Sequence, residues 1–519
     1  MWTSTLEISI RKVLPTQILG RFWRGAYFSS LAPLQVKNLP RQQLASTNSS
    51  WVRVHNRLAG ICGSDLHLVF IDGDLRIAPA ALPAHNQSYP GHEVVGEVIE
   101  IGDRVQRLRV GDRVVLQSGP SCLSTGILPP CHSCANGNYN LCENTDLPGL
   151  HQIGGGWSEE MLVHEQQLFR IPTEMEDDQA VLLEPTAVAV HAVLRRMPRP
   201  GEKVLIVGAG TIGLLTLQVV RALAPQAEIS VLARHNFQVE QATRMGATHI
   251  LYERDSYESI KEVTGAKLYH GMLGNKLLLG GYNVIYDTIG TRSTLHHSLR
   301  WARARGSIVL VGVNLHLMKL DISPIWYQEV DLIGTMGHGI EQWPPDTSQQ
   351  RSTFAIAADL ITNGVLHPEK LITHRFSLSN FREALLTATN KKGSRAIKIV
   401  FDAALLPASS VPNARATTRT RLPAFISEDT QMPQAVIPER GPSHFTMAQS
   451  EDFSADFDNT QFISPKPRRP PSPLQFPRTT EDTLTAVNSI GPTDATNVAP
   501  DTLQETGEIE GNEPSTSQN

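Results

Sequence analysis

No apolar run in this chain approaches the roughly 20 residues that a membrane-crossing helix needs. The longest candidates, Ala187 to Leu194 and Ile212 to Val220, are far shorter and sit in a pattern that reads as globular. Neither sign of charge dominates: 46 Lys and Arg stand against 51 Asp and Glu, a formal net charge of -5. That balance excludes a broad electrostatic pull towards nucleic acid or an anionic membrane. Cysteine is scarce, with five in 519 residues, and no uninterrupted apolar segment follows the first charges, so secretion is not the expectation. Asn48-Ser49-Ser50 and Asn86-Gln87-Ser88 therefore carry no glycosylation argument.

A chain of 519 residues is too long for one core, and about 150 residues per domain suggests two or three units. At the N-terminus Arg11, Lys12, Arg21 and Arg24 outnumber the single early acid Glu7, as in a mitochondrial presequence. The competing reading is a strand, with Leu6, Ile8 and Ile10 alternating with Glu7 and Ser9. The expected location is the cytoplasm, with the mitochondrion as the alternative.

What is present is dense in places. Gly60-Ile61-Cys62-Gly63-Ser64-Asp65-Leu66-His67 packs a thiol, a hydroxyl, a carboxylate and an imidazole into one short span. A sulfur ligand suits zinc, and a catalytic zinc takes three protein ligands and leaves a fourth position open. Further candidates follow at Gly91-His92-Glu93 and at Glu184 in Leu183-Glu184-Pro185. Singly, Cys62 reads as a buried apolar residue and His92 as a core histidine; their order and setting favour a metal.

The other four cysteines are clustered as Cys131-x2-Cys134-x7-Cys142 with Cys122 upstream. A redox pair at Cys131 and Cys134 belongs between a strand and a helix. Here Pro129-Pro130 precedes and Asn136-Gly137-Asn138 follows, so the segment is predicted to be a loop whose four thiolates close round a structural zinc.

The texture then changes along the chain. Glu93 to Glu100 and Gly111 to Val115 read as short strands, and Gly154-Gly155-Gly156 as a hinge into another. From Lys203 to Val207 a continuous apolar strand leads into Gly208-Ala209-Gly210-Thr211-Ile212-Gly213 and a helical run through Leu223. With a strand before it and a helix after it, this turn is a dinucleotide site. Gly208 allows the tight turn, Gly210 the approach of a pyrophosphate and Gly213 close helix packing, while helix N-terminal amides hold the phosphates. Where an acid would bind the ribose 2′-hydroxyl, the next strand ends in Ala233-Arg234-His235. A guanidinium there suits a 2′-phosphate, which favours NADP over NAD. Val284 to Asp287 and Gly306 to Gly312 are further strands of the same unit, and Val311 and Val313 are expected at the cofactor.

These motifs together resemble the zinc-containing medium-chain dehydrogenases and reductases, the superfamily of alcohol, sorbitol, threonine and glucose dehydrogenases. The likeness runs from near the N-terminus to about Phe401. It implies an α/β architecture: a GroES-like β-barrel catalytic domain over 1–195, to which 345–405 return, and a Rossmann doubly wound parallel sheet over 196–344. By that likeness Cys62 and His92 hold the catalytic zinc with Glu93 or Glu184 as third ligand, and Asp65 orients a ligand. Ser64 and His67 fall on the family's proton relay, which passes through the cofactor ribose. The implied reaction is hydride transfer between a small alcohol or polyol, or its carbonyl, and NAD(P), in a homodimer or homotetramer. A zinc-free quinone or enoyl reductase of the same fold, which needs neither Cys62 and His92 nor the cysteine lobe, and a non-catalytic scaffold with an interaction tail, which does not require the relay at Ser64 and His67, are the alternatives.

The chain departs from that pattern in four places. Its first lobe cysteine is Cys122 where the family spacing expects one at Leu128. Residues Asp72 to Tyr89 form a Pro- and Ala-rich insertion expected to shape the substrate pocket, and Arg21 to Ser50 make an unusually long separation of the first strands. Residues 406–519 form the fourth: from Pro407 onward 15 of 113 residues are proline, with 15 acids and 8 bases. Such a composition buries too little to offset ordering entropy, so the tail is predicted to be disordered. Within it Pro467-Arg468-Arg469-Pro470-Pro471-Ser472-Pro473 reads as a spacer, or as a polyproline II ligand for an SH3-like partner.

Overall fold

Two sheets organise this computed structural model, which describes residues 2–405 apart from 21, 42–43, 45–48, 71, 74–86, 118, 145–153 and 346. The tail from 406 and its polyproline segment lie outside the described residues, as does most of the expected insertion.

The six-stranded sheet runs His249–Leu251, Glu228–Leu232, Lys203–Val207, Tyr282–Asp287, Ala302–Leu310, Asp331–Gly334, with every neighbouring pair parallel. Counted along the chain without an intervening hairpin, this is the doubly wound order, which reverses between Lys203–Val207 and Tyr282–Asp287. Helices covering both faces explain the unbroken apolar sequence: Val204, Leu205, Ile206 and Val207 are all fully buried. The helix Thr211–Leu223 contacts the helix Leu183–Arg195, and both share one core with Val204 and Ile206. An antiparallel hairpin, Lys267–His270 with Lys276–Leu279, stands apart from this sheet and was not legible in the sequence.

The second sheet has seven strands. Ile372–Phe376, Lys398–Asp402, Trp51–Gly60, Val94–Ile101, Arg113–Leu116 and Leu168–Arg170 follow one another, and Glu160–His164 pairs with Trp51–Gly60. Chain from both sides of the parallel sheet thus meets in one sheet, antiparallel except where Ile372–Phe376 runs parallel to Lys398–Asp402. The N-terminal alternation does form a strand, Trp2–Ser9, paired with Leu34–Pro40, with Leu6 and Ile8 fully buried.

Two local expectations are corrected. The cysteine segment is not all loop, because Cys122–Thr125 and His132–Ala135 are single helical turns. Ser121 and Ser124 cap the first reciprocally, and the φ of 75° at Gly126 ends it. The strand expected from Glu93 begins at Val94; the Glu93 carbonyl still accepts from Gly60 N at 2.7 Å, and its carboxylate joins the site.

Candidate metal and dinucleotide site

Strand Trp51–Gly60 delivers Cys62, and the turn before Val94–Ile101 delivers His92 and Glu93. The ligand atoms of these three residues all lie within 4.8 Å of one another. Trp157 Nε1 donates to Gly60 O at 2.9 Å, fixing the strand end. Gly60 is required there: a Cβ would come within 2.1 Å of Glu93 Oε2.

Asp65, buried in the first turn of the helix Gly63–Phe70, ties the two loops together. It accepts from Cys62 N and Gly91 N at 3.0 Å each, and Oδ1 is 3.4 Å from His92 Nδ1. Burial opposes its ionised form, but His92 and the two N–H donors prevail and hold the carboxyl below its ordinary range. Burial likewise opposes the charged His92, and the Asp65 carboxylate and Cys62 carry it well above its ordinary value. A soft thiolate, an imidazole and a carboxylate converging in this way fit a zinc ion, which would take the place of that proton.

Glu184 opens the helix Leu183–Arg195. Burial pushes its carboxyl up to about 7, with His92 and Lys398 opposing and Glu93 and Asp65 reinforcing the rise. It feels the field of the cluster but is not one of the three convergent donors.

Cys122, Cys131, Cys134 and Cys142 form a second cluster within 4.8 Å, and all are free of disulfides. Cys122 does reach in, with its Sγ 3.7 Å from that of Cys142. N–H donors point at the sulfurs: Cys131 N and Asn144 Nδ2 at Cys122, and Glu143 N at Cys131. The Cys131 N–H, with Asn144, brings the Cys122 thiol down to about 7, while burial raises Cys134 and Cys142. Such a set fits a closed structural zinc.

A crevice of about 1210 Å³ runs from Cys62, Gly63, Leu66 and Glu93 past the glycine turn to Arg234. Gly208 has φ +100°, and a Cβ on Gly213 would meet Gly208 O at 1.9 Å, so turn and helix touch. A Cβ on Gly210 would meet nothing within 4 Å, because it would project into the space where a pyrophosphate fits. Thr211 and Ile212 also line the crevice, whereas Val311 and Val313 do not. Val311 instead packs on the core beside the sheet, and Val313 is half exposed.

Residues 48–173 match the alcohol dehydrogenase GroES-like domain, and residues 211–350 match the zinc-binding dehydrogenase family. A sorbitol dehydrogenase of Arabidopsis thaliana is 29% identical over 360 residues, which are 69% of this chain and 90% of that protein. The crystal structure of 2R,3R-butanediol dehydrogenase from Bacillus subtilis superposes with a TM-score of 0.55 at 26% identity, covering 71% of this chain and 96% of that one. A zinc-binding dehydrogenase from Sinorhizobium meliloti, solved with NADP, gives a TM-score of 0.57 at 25% identity, covering 78% and 99%. The chain belongs to the zinc-type medium-chain dehydrogenases and reductases. It is a zinc- and NAD(P)-dependent oxidoreductase of the alcohol and polyol class.

Sequence reasoning missed one residue of this dehydrogenase site. Lys398, fully buried in the strand Lys398–Asp402, donates to Glu93 Oε2 and to Ile61 O, the latter at 3.2 Å. Burial opposes its charge, and Glu93 and Cys62 more than restore it. Its signal was a lone lysine inside the apolar run Ala396 to Phe401. Ser64 and His67 stand one turn apart on the helix Gly63–Phe70, half-buried, and neither is among the crevice lining. His67 Nδ1 is 3.0 Å from Asp72 Oδ2.

Proposed function

We propose that this dehydrogenase interconverts a secondary hydroxyl of a polyol or vicinal diol with its ketone, using NADP in preference to NAD. The observation that carries the reading is the convergence of Cys62, His92 and Glu93 at one end of the crevice that holds the Gly208 to Gly213 turn. A zinc ion held by those three residues would supply polarisation of a substrate oxygen, and the nicotinamide of a bound dinucleotide would supply the hydride chemistry.

The chain's own residues do the rest. Asp65 holds the Cys62 and His92 loops in register through its bonds to Cys62 N and Gly91 N. Glu184 keeps a second carboxyl at the edge of the donor set, where its raised value lets it carry a proton near neutrality. Ser64 Oγ and His67 Nε2, the ring nitrogen that Asp72 leaves open, are the two protein ends of the proton relay that a bound cofactor ribose would bridge. Arg234, exposed on the crevice wall beside Ala233, would receive the 2′-phosphate of a bound NADP. The reading includes a cytoplasmic homodimer or homotetramer, to be tested by light scattering and fractionation.

Elemental analysis of purified protein tests the metal arm, with two zinc ions per chain expected for the two donor clusters. Fluorescence titration with NADPH and NADH tests the cofactor arm, and turnover on sorbitol, 2,3-butanediol and simple alcohols tests the substrate class. A Cys62→Ala protein that kept both zinc ions and its turnover would overturn the assignment.

A further inference from the structure

The carboxylate of Asp72, just past the helix Gly63–Phe70, stands between two imidazoles. Its Oδ2 is 3.0 Å from His67 Nδ1, and its Oδ1 is 3.0 Å from His316 Nε2. An ionised carboxylate only accepts, so both facing ring nitrogens donate. Nδ1 of His67 then carries the proton, and Nε2 remains as the acceptor. Main chain reinforces the arrangement, because Asp72 N donates to His67 O at 2.9 Å.

His316 comes from the other sheet, 244 residues further along, in the loop after Ala302–Leu310. Asn314 braces that loop, with its Nδ2 donating to His316 O at 2.6 Å. Tyr27 also lies in the field of Asp72: burial raises its hydroxyl, and the carboxylate adds to the rise. The three bridge side chains are 30%, 55% and 53% exposed for His67, Asp72 and His316. Attraction between groups so open to water adds little stability, and the bridge acts instead on which nitrogen is protonated and where the ring points.

We infer that Asp72 is a positioning residue that holds His67 in its proton-accepting tautomer, and that His316 steadies Asp72 from the dinucleotide-binding sheet. The inference rests on the reading of Ser64 and His67 as a proton relay, and it deepens that reading. It makes the relay depend on the two sheets standing together across the crevice.

The test uses full-length zinc-loaded protein labelled with 15N-histidine, the His67 ring signals being assigned by their loss in His67→Gln. Nδ1-protonated His67 in the parent, and loss of that form in Asp72→Asn with recovery in Asp72→Glu, is the expected result. His316→Gln is expected to give a mixture of tautomers. In turnover of 2,3-butanediol with NADP or NAD, Asp72→Asn is expected to lower kcat about 10- to 100-fold with KM little changed. An unchanged His67 tautomer in Asp72→Asn overturns the inference, whatever the kinetics. If instead the tautomer moves while His67→Gln keeps full turnover, the positioning stands and the relay reading fails.

Discussion

Lys398 and Glu93 form an ion pair buried beneath Cys62, with both side chains at most 2% exposed. Two charges so placed are held by each other, and removing one strands its partner. Lys398→Met is expected to destabilise the protein by about 3–5 kcal/mol in urea unfolding and to weaken zinc retention. Lys398→Met combined with Glu93→Gln should recover part of the stability and none of the zinc. Equal stability of the single and double variants would show that the pair is not coupled.

Gly213→Ala tests the glycine turn. Its Cβ has Gly208 O at 1.9 Å and cannot be accommodated without moving the backbone. Dinucleotide affinity is expected to fall at least about tenfold with the zinc content unchanged, as read by titration and elemental analysis. Gly210→Ala should also lose affinity, but without loss of stability, because its Cβ meets no protein atom.

Cys122→Ser separates the two metal clusters. Zinc is expected to fall from two ions to one per chain, and Tm by at least about 5 °C, with turnover retained by the remaining ion. Retention of both ions would remove Cys122 from the ligand set.

Arg234→Ala addresses cofactor choice. Losing a charge-assisted contact to a 2′-phosphate is expected to weaken NADPH binding about 10- to 100-fold and leave NADH where it was. An equal effect on both cofactors would mean that Arg234 does not read the phosphate.

His338, whose carbonyl accepts from Asn140 Nδ2 of the cysteine lobe, gives a pH dependence of its own. Burial, with help from His191 and against a bond to the Gln117 backbone, lowers it to about 4. The unfolded chain binds a proton there that the folded one refuses, so the contribution is whole above about pH 6.5 and is lost as pH falls through about 4. The size is about 3 kcal/mol. His338→Gln should flatten the fall in Tm between pH 7 and 4.5 relative to the parent, and an unchanged slope would refute the assignment.

What could be read from the sequence was what lies close together in it. The Gly208 turn, with its strand and helix, is one contiguous segment, and Cys62, Asp65, His92 and Glu93 sit in short motifs beside glycines. The parallel strands announced themselves because burial on both faces demands unbroken apolar runs. Lys398 did not, because its partner is 305 residues away and only strand pairing joins them. The single-turn helices of the cysteine lobe are too short for periodicity to register. Glu93 and Glu184 both flank motif residues, and only the fold shows that Glu93 converges with Cys62 and His92. Val313 is half exposed and outside the crevice lining, a placement that its position in the sequence does not reveal.

The pairing of Lys398–Asp402 with Trp51–Gly60 also bears on how the molecule is made. Synthesis runs from the N-terminus, so the strand that leads to Cys62 waits for a neighbour that emerges only after the whole parallel sheet. Until then Glu93 has no cation beside it, and the end of Trp51–Gly60 beyond its pairing with Glu160–His164 is a short unpaired edge of the kind that recruits other chains. The parallel sheet, complete by Gly334, can close first and carry that late strand back to its place. Order of emergence, as much as final contact energy, therefore governs when this chain becomes able to retain its catalytic metal.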